Sequence, residues 1–99
     1  MKYKIEFSQE AAFDVEELFY ADKKLLARIL KKIESLADNP HEGKALVGNH
    51  KGEFSLRIGA YRIVYELDIS GHIIFILTIK HRKHVYWFEI YLFAISRQI

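Results

Sequence analysis

Near the middle of this chain the spacing of its apolar residues changes from three or four to two. In the first half, Leu25, Leu26, Ile29, Leu30, Ile33 and Leu36 recur at helical spacing, opposite a face carrying Lys24, Lys31, Lys32 and Glu34. In the second half, Phe54–Ile58 and Tyr61–Leu67 alternate, and His72–Ile79 is an almost unbroken β-branched run. A chain of 99 residues has room for one core. The helical stretch and the stranded stretch must therefore cover each other, because neither can expose its apolar face to water.

The boundaries follow from local chemistry. Lys2–Phe7 puts Tyr3, Ile5 and Phe7 on one face and reads as a half-buried strand. Ser8 is a good N-cap with Glu10 in the first turn, so a helix follows through Ala11, Val15, Leu18 and Phe19. Asp22 caps a second helix, and Asn39-Pro40 stops it. Two amphipathic helices with so short a join make an αα-hairpin. His41–Lys51, with Gly43, Gly48 and Asn49, reads as a loop. Gly59-Ala60 suits a type II′ hairpin turn, with glycine supplying the positive φ. The last strand is expected to be central and buried on both faces. The fold class is thus α+β: an N-terminal strand, an αα-hairpin packed on an antiparallel β-meander, and a C-terminal helix or extended segment. Val85–Ile95 fits either, with helix preferred. Residues 1–99 form a single domain, with the core at about 2–87 and a tail at 88–99.

Composition excludes several classes. Cysteine is absent, so there are no disulfides and no thiolate metal sites, in keeping with a reducing cytoplasm. The N-terminus has no apolar signal region, and the longest apolar stretch is too short to span a bilayer. Neither a membrane nor a small-molecule cofactor is expected as a partner. His81 and His84 are spaced as metal ligands could be on a helix, but no third ligand supports them, so no metal is expected. Charge is uneven: residues 1–50 carry eight Lys/Arg against nine Asp/Glu, whereas residues 51–99 carry seven against four. The basic excess beside Arg57, Arg62, Lys80, Arg82 and Lys83 points to an anionic partner.

Two stretches carry a family resemblance. Phe54-Ser-Leu-Arg-Ile-Gly-Ala-Tyr-Arg-Ile-Val-Tyr-Glu66 and Ile79-Lys-His-Arg-Lys-His-Val-Tyr86 resemble, in this order, signatures of the RelE/ParE toxins. Leu46-Val-Gly48 sits where that family has a leucine-x-glycine before its meander. The resemblance implies a toxin of a type II toxin–antitoxin pair, held inactive by a small, acidic antitoxin. In the RelE-like branch it implies metal-independent, ribosome-dependent mRNA cleavage, in which the 2′-hydroxyl attacks the adjacent phosphate. In the ParE-like branch it implies gyrase inhibition without nuclease chemistry, and a degenerate member would only bind its partner. Carried over by residue, the resemblance makes Arg62, Arg82 and Tyr86 catalytic; His81 and His84 are proton-transfer candidates on their own chemistry, because an imidazole titrates near neutral pH. Arg57, Lys80 and Lys83 would bind RNA phosphates. Ser55 departs from the pattern, since some RelE-like proteins carry a basic residue there.

Overall fold

The computed structural model describes residues 2–50 and 52–83. Along this span run β1 (Lys4–Phe7), α1 (Gln9–Ala21), α2 (Lys23–Ser35), β2 (Lys44–Ala45), a 3₁₀ turn (Gly48–His50), β3 (Glu53–Ile58), β4 (Tyr61–Asp68) and β5 (Ile73–His81). Both expected caps form. The Ser8 hydroxyl accepts from the Ala11 N–H, and the Asp22 carboxylate accepts from the Leu25 N–H. Asp22 also ends α1, its own N–H donating to the Leu18 carbonyl at 2.8 Å. One residue therefore closes one helix and opens the next.

The sheet is larger than the expected meander. Its order is β1-β5-β4-β3-β2. β1 pairs with β5 in parallel, from Lys4↔Ile73 to Phe7↔Ile76, and the other pairs are antiparallel. β2 lies within the segment expected to be loop. Two residues are too few to show alternation, and they are ordered only by pairing with Phe54 and Ser55. Val85–Ile95, where a helix was preferred, lies outside the described residues, as do His84 and Tyr86.

Both helices lie on one face of the sheet. Leu26, Ile29, Ile33 and Leu36 from the second helix and its end meet Ile63, Tyr65, Ile74, Ile76 and Ile79, all nearly fully buried. α1 contributes Ala11 and Leu18. Phe19, expected on its apolar face, is instead 46% exposed, with the Lys23 ammonium 4.7 Å from its ring centre. β5 also departs from expectation. The register jumps from Val64↔Thr78 to Tyr65↔Ile76, leaving Leu77 as a bulge. Ile74, Ile76 and Ile79 thus face the helices, while Ile73, Phe75 and Thr78 are half-buried on the other side. The Ser8 hydroxyl donates to the Leu77 carbonyl at 2.8 Å, tying the start of α1 to the bulge.

The link from α2 to β2 is held by one side chain. The Tyr65 hydroxyl donates to the Pro40 carbonyl at 2.8 Å and accepts from the Gly43 N–H at 2.9 Å. Its ring stacks on Phe54 with centroids 5.4 Å apart. A Cβ at Gly43 would lie 2.6 Å from that hydroxyl and 3.1 Å from the Ser55 carbonyl oxygen. Gly43→Ala is therefore expected to destabilise the protein by about 1–3 kcal/mol through overpacking and loss of these bonds. A urea midpoint unchanged from wild type would refute this account of the loop.

Candidate nucleic-acid interface

The face of the sheet opposite the helices carries its charges in rows. Arg57 on β3 pairs with Arg62 on β4, which pairs with Lys80 on β5. Directly opposed like charges destabilise a sheet, so this row costs stability unless an anion meets it. The two arginines flank the Gly59-Ala60 turn, where Gly59 has φ of +57° and Ala60 is not left-handed, as a type II′ turn requires. The Arg82 N–H donates to the Ala60 carbonyl at 2.7 Å, which anchors that residue's backbone on the same turn. Three guanidinium-bearing residues thus surround one hairpin end.

None of the three arginines forms an ion pair with a carboxylate among the described residues. Arg57 and Arg82 are exposed. Arg62 is half-buried, and its Nε is shielded from solvent with no hydrogen-bond acceptor among the described residues. A buried donor without an acceptor is uncommon and costly. A phosphate oxygen offers such an acceptor, and the guanidinium fork suits it.

Lys80 is held differently. Its Nζ donates to Asp14 Oδ1 at 2.5 Å and lies 3.8 Å from Glu10 Oε1. Asp14 is buried on α1, and its second oxygen accepts the Ile79 N–H at 2.9 Å. That N–H lies beyond the span of β5 that β1 covers, so the carboxylate replaces a missing strand partner. Lys80 therefore neutralises a buried acid, and its ammonium is committed away from any phosphate. The sequence signal for Asp14 was weak: an acid among the apolar residues of α1.

Burial works against the Lys80 charge, but the bond to Asp14 and the charges of Asp14, Glu10 and Glu17 outweigh it, so its pKa is raised above the ordinary 10.5. Burial raises the Tyr65 hydroxyl above its ordinary 10.0, opposed by the Gly43 N–H and aided by Glu42. In both cases the folded state holds the proton more tightly than the unfolded chain. Their contribution to stability is complete below pH 10.0 and is lost as pH rises through the two folded values. Urea midpoints measured from pH 8 to 11 are expected to hold and then fall, at about pH 10 and above. A Tyr65→Phe, Lys80→Met double variant is expected to flatten the fall.

The remaining sequence candidates divide. His81 pairs with Tyr61, so it lies on the helix-covered side of the sheet, opposite Arg62. Its ring meets the Tyr61 ring edge-on at 5.4 Å, and its Nδ1 accepts the Lys83 N–H at 3.2 Å. Lys83 is exposed beside Arg82. One cation not singled out in the sequence joins the open face: Lys44 pairs with Ser55. By alternation it shares a face with Arg57 and Arg62, one strand from the neutral serine. Only pairing across the short β2 could have revealed it. At the other end of the same face Glu53 opposes Glu66, with Glu6 two strands further on beside Phe75. The open face is therefore basic at the hairpin end and acidic at the other.

Comparison with known proteins shows the family. The family model described as the ParE toxin of the type II toxin–antitoxin system parDE matches residues 5–86. This chain belongs to the RelE/ParE family of type II toxins. It is 31% identical over 88 residues to Toxin RelG of Mycobacterium tuberculosis, covering 87% of this chain and 98% of that protein. It is 28% identical over 85 residues to a putative RelE-like toxin protein of Escherichia coli, covering 84% and 86%. Among solved structures it resembles a chain of the M. tuberculosis toxin–antitoxin complex RelBE2, with a TM-score of 0.73, 29% identity and coverage of 82% and 99%. It also resembles the Staphylococcus aureus YoeB dimer, with a TM-score of 0.69, 26% identity and coverage of 82% and 98%. The toxin has no helix among the described residues long and apolar enough to cross a membrane.

Proposed function

We propose that this toxin cleaves mRNA on the ribosome without a metal, using the RNA's own 2′-hydroxyl as nucleophile. The observation that carries the reading is the Arg57–Arg62 row, which has no carboxylate partner among the described residues, with Arg82 anchored to the same turn. In the reaction the 2′ oxygen bonds to phosphorus, the bond from phosphorus to the 5′ oxygen breaks, and negative charge grows on the phosphoryl oxygens. Arg62 and Arg82 hold those oxygens, which stabilises the charge where it develops. Arg57 and Lys83 hold neighbouring phosphates. Tyr86 removes or orients the 2′ proton, helped by nearby guanidiniums. His81 is engaged on the opposite side of the sheet, so protonation of the 5′ oxygen is assigned to His84. A small acidic antitoxin would silence the site by neutralising the arginine row.

In this reading Lys44 supplies the charge that Ser55 lacks. The test is single-turnover cleavage of mRNA on programmed ribosomes. Arg82→Ala and Tyr86→Phe should each slow it, and the assignment fails if both leave the rate unchanged. Lys44→Ala should slow it about tenfold, the equivalent of about 1.4 kcal/mol and near the low end for one charge-assisted contact, and adding Ser55→Lys should restore it. The neutral Ser55 also favours a second reading, gyrase inhibition without chemistry. Loss of supercoiling activity by gyrase, with intact mRNA on ribosomes, would select that one.

A further inference from the structure

The outer face of α2 carries a second basic surface that the proposed chemistry does not use. Lys24, Arg28 and Lys31 are all exposed. At about 100° per residue they lie within an arc of about 60°, and at 1.5 Å per residue they span about 10 Å. They lie opposite Leu26, Ile29 and Ile33, which face the core. The stripe therefore points away from the sheet and its arginine row. None of the three has an ion pair, hydrogen bond or ring contact among the described residues.

A solvated helix face ordinarily mixes signs at these spacings. Here Lys24/Arg28 and Arg28/Lys31 are like-charged at four and three residues, which weakens a helix. Lys23 and Lys24 occupy the first turn, where the helix dipole disfavours cations and where α2 has no acid. Lys32, beside the stripe, is already paired with Glu42 at 3.0 Å. These like-charged contacts cost the helix stability, and the opposite charge at helical spacing within α2 is Glu34, exposed three residues beyond Lys31 and forming no ion pair with it.

We infer that Lys24, Arg28 and Lys31 form a docking surface for the phosphate backbone of structured RNA, separate from the arginine row. Three cations over about 10 Å match successive phosphates of a folded strand. Resting on the proposed ribosomal reaction, the stripe would grip ribosomal RNA while the opposite face engages the message.

The experiment compares wild type with K24Q/R28Q/K31Q for co-sedimentation with ribosomes across a salt series, and for mRNA cleavage on them. Each lost contact should lower the salt slope by about 0.7–0.9. The variant's slope should fall by about two to three, and wild type should lose about 20- to 40-fold more affinity between 50 and 200 mM salt. KM should rise with kcat at saturating ribosomes unchanged. The charge-conserving K24R/R28K/K31R should behave as wild type, and thermal melts should show the glutamine variant folded at least as stably. An unchanged slope overturns the inference, as does an unchanged slope with a weakened antitoxin complex, which would assign the face to the antitoxin. If wild type cleaves nothing, the nuclease reading fails, yet the co-sedimentation slope still decides the stripe.

Discussion

Arg62→Ala is expected to slow mRNA cleavage on programmed ribosomes by about 10²- to 10³-fold, the usual effect of removing one preorganised donor to a developing oxyanion. Arg62 sits between two other cations in its row, one strand in from either neighbour, and its Nε is shielded from water with no acceptor among the described residues. Shielding from water strengthens its action on a phosphoryl oxygen. The same features predict that the fold survives the change. No described hydrogen bond or ion pair is lost, and repulsion from Arg57 is relieved. Arg62→Lys should recover only part of the rate, because an ammonium keeps the charge and loses the planar fork. Circular dichroism and a urea midpoint beside the kinetics separate the two effects. A loss smaller than threefold in a folded Arg62→Ala protein would place the catalytic charge elsewhere.

The second large effect concerns stability. Asp14→Ala is expected to cost about 3–5 kcal/mol, towards the lower end because Lys80 keeps some contact with water. The substitution leaves the Ile79 N–H without its acceptor and the Lys80 ammonium without its counter-charge. For a domain whose whole stability is of order 5–15 kcal/mol, that approaches unfolding. Asp14→Asn should cost less, since its amide oxygen can still accept from Ile79. Asp14→Ala combined with Lys80→Met should recover part of the loss, because no buried charge is then stranded. The coupling between sites is read from urea denaturation of all four proteins. If Asp14→Ala costs under about 1 kcal/mol, the carboxylate does not hold the edge of β5.

Elements set by neighbours in sequence were readable in advance. Ser8 and Asp22 cap helices because a short polar side chain reaches its own backbone three residues on. Gly59 turns the chain because it takes positive φ without strain. The α2 core stripe and the β3–β4 register follow from period and turn length. Arg57 and Arg62 were therefore predictable as neighbours. Phe19, Lys80 and His81 were not. Phe19 had the right spacing, but α1 turns Asp14 inward towards the edge of β5. Lys80 looked like one more cation in a basic stretch until that buried acid claimed it. His81 moved to the helix-covered side because the Leu77 bulge shifts the alternation by one residue.

The sequence by itself thus determined the helix pair, the hairpin and the paired arginines, because each depends on interactions a few residues apart. The tertiary structure alone decided that β1 runs parallel beside β5, that Lys44 stands next to Ser55, and that Asp14 takes the Lys80 ammonium out of the open cationic row. The reason is physical. Pairings across tens of residues are fixed by the shared core and by unsatisfied backbone groups at strand edges, and neither leaves a local pattern in the chain.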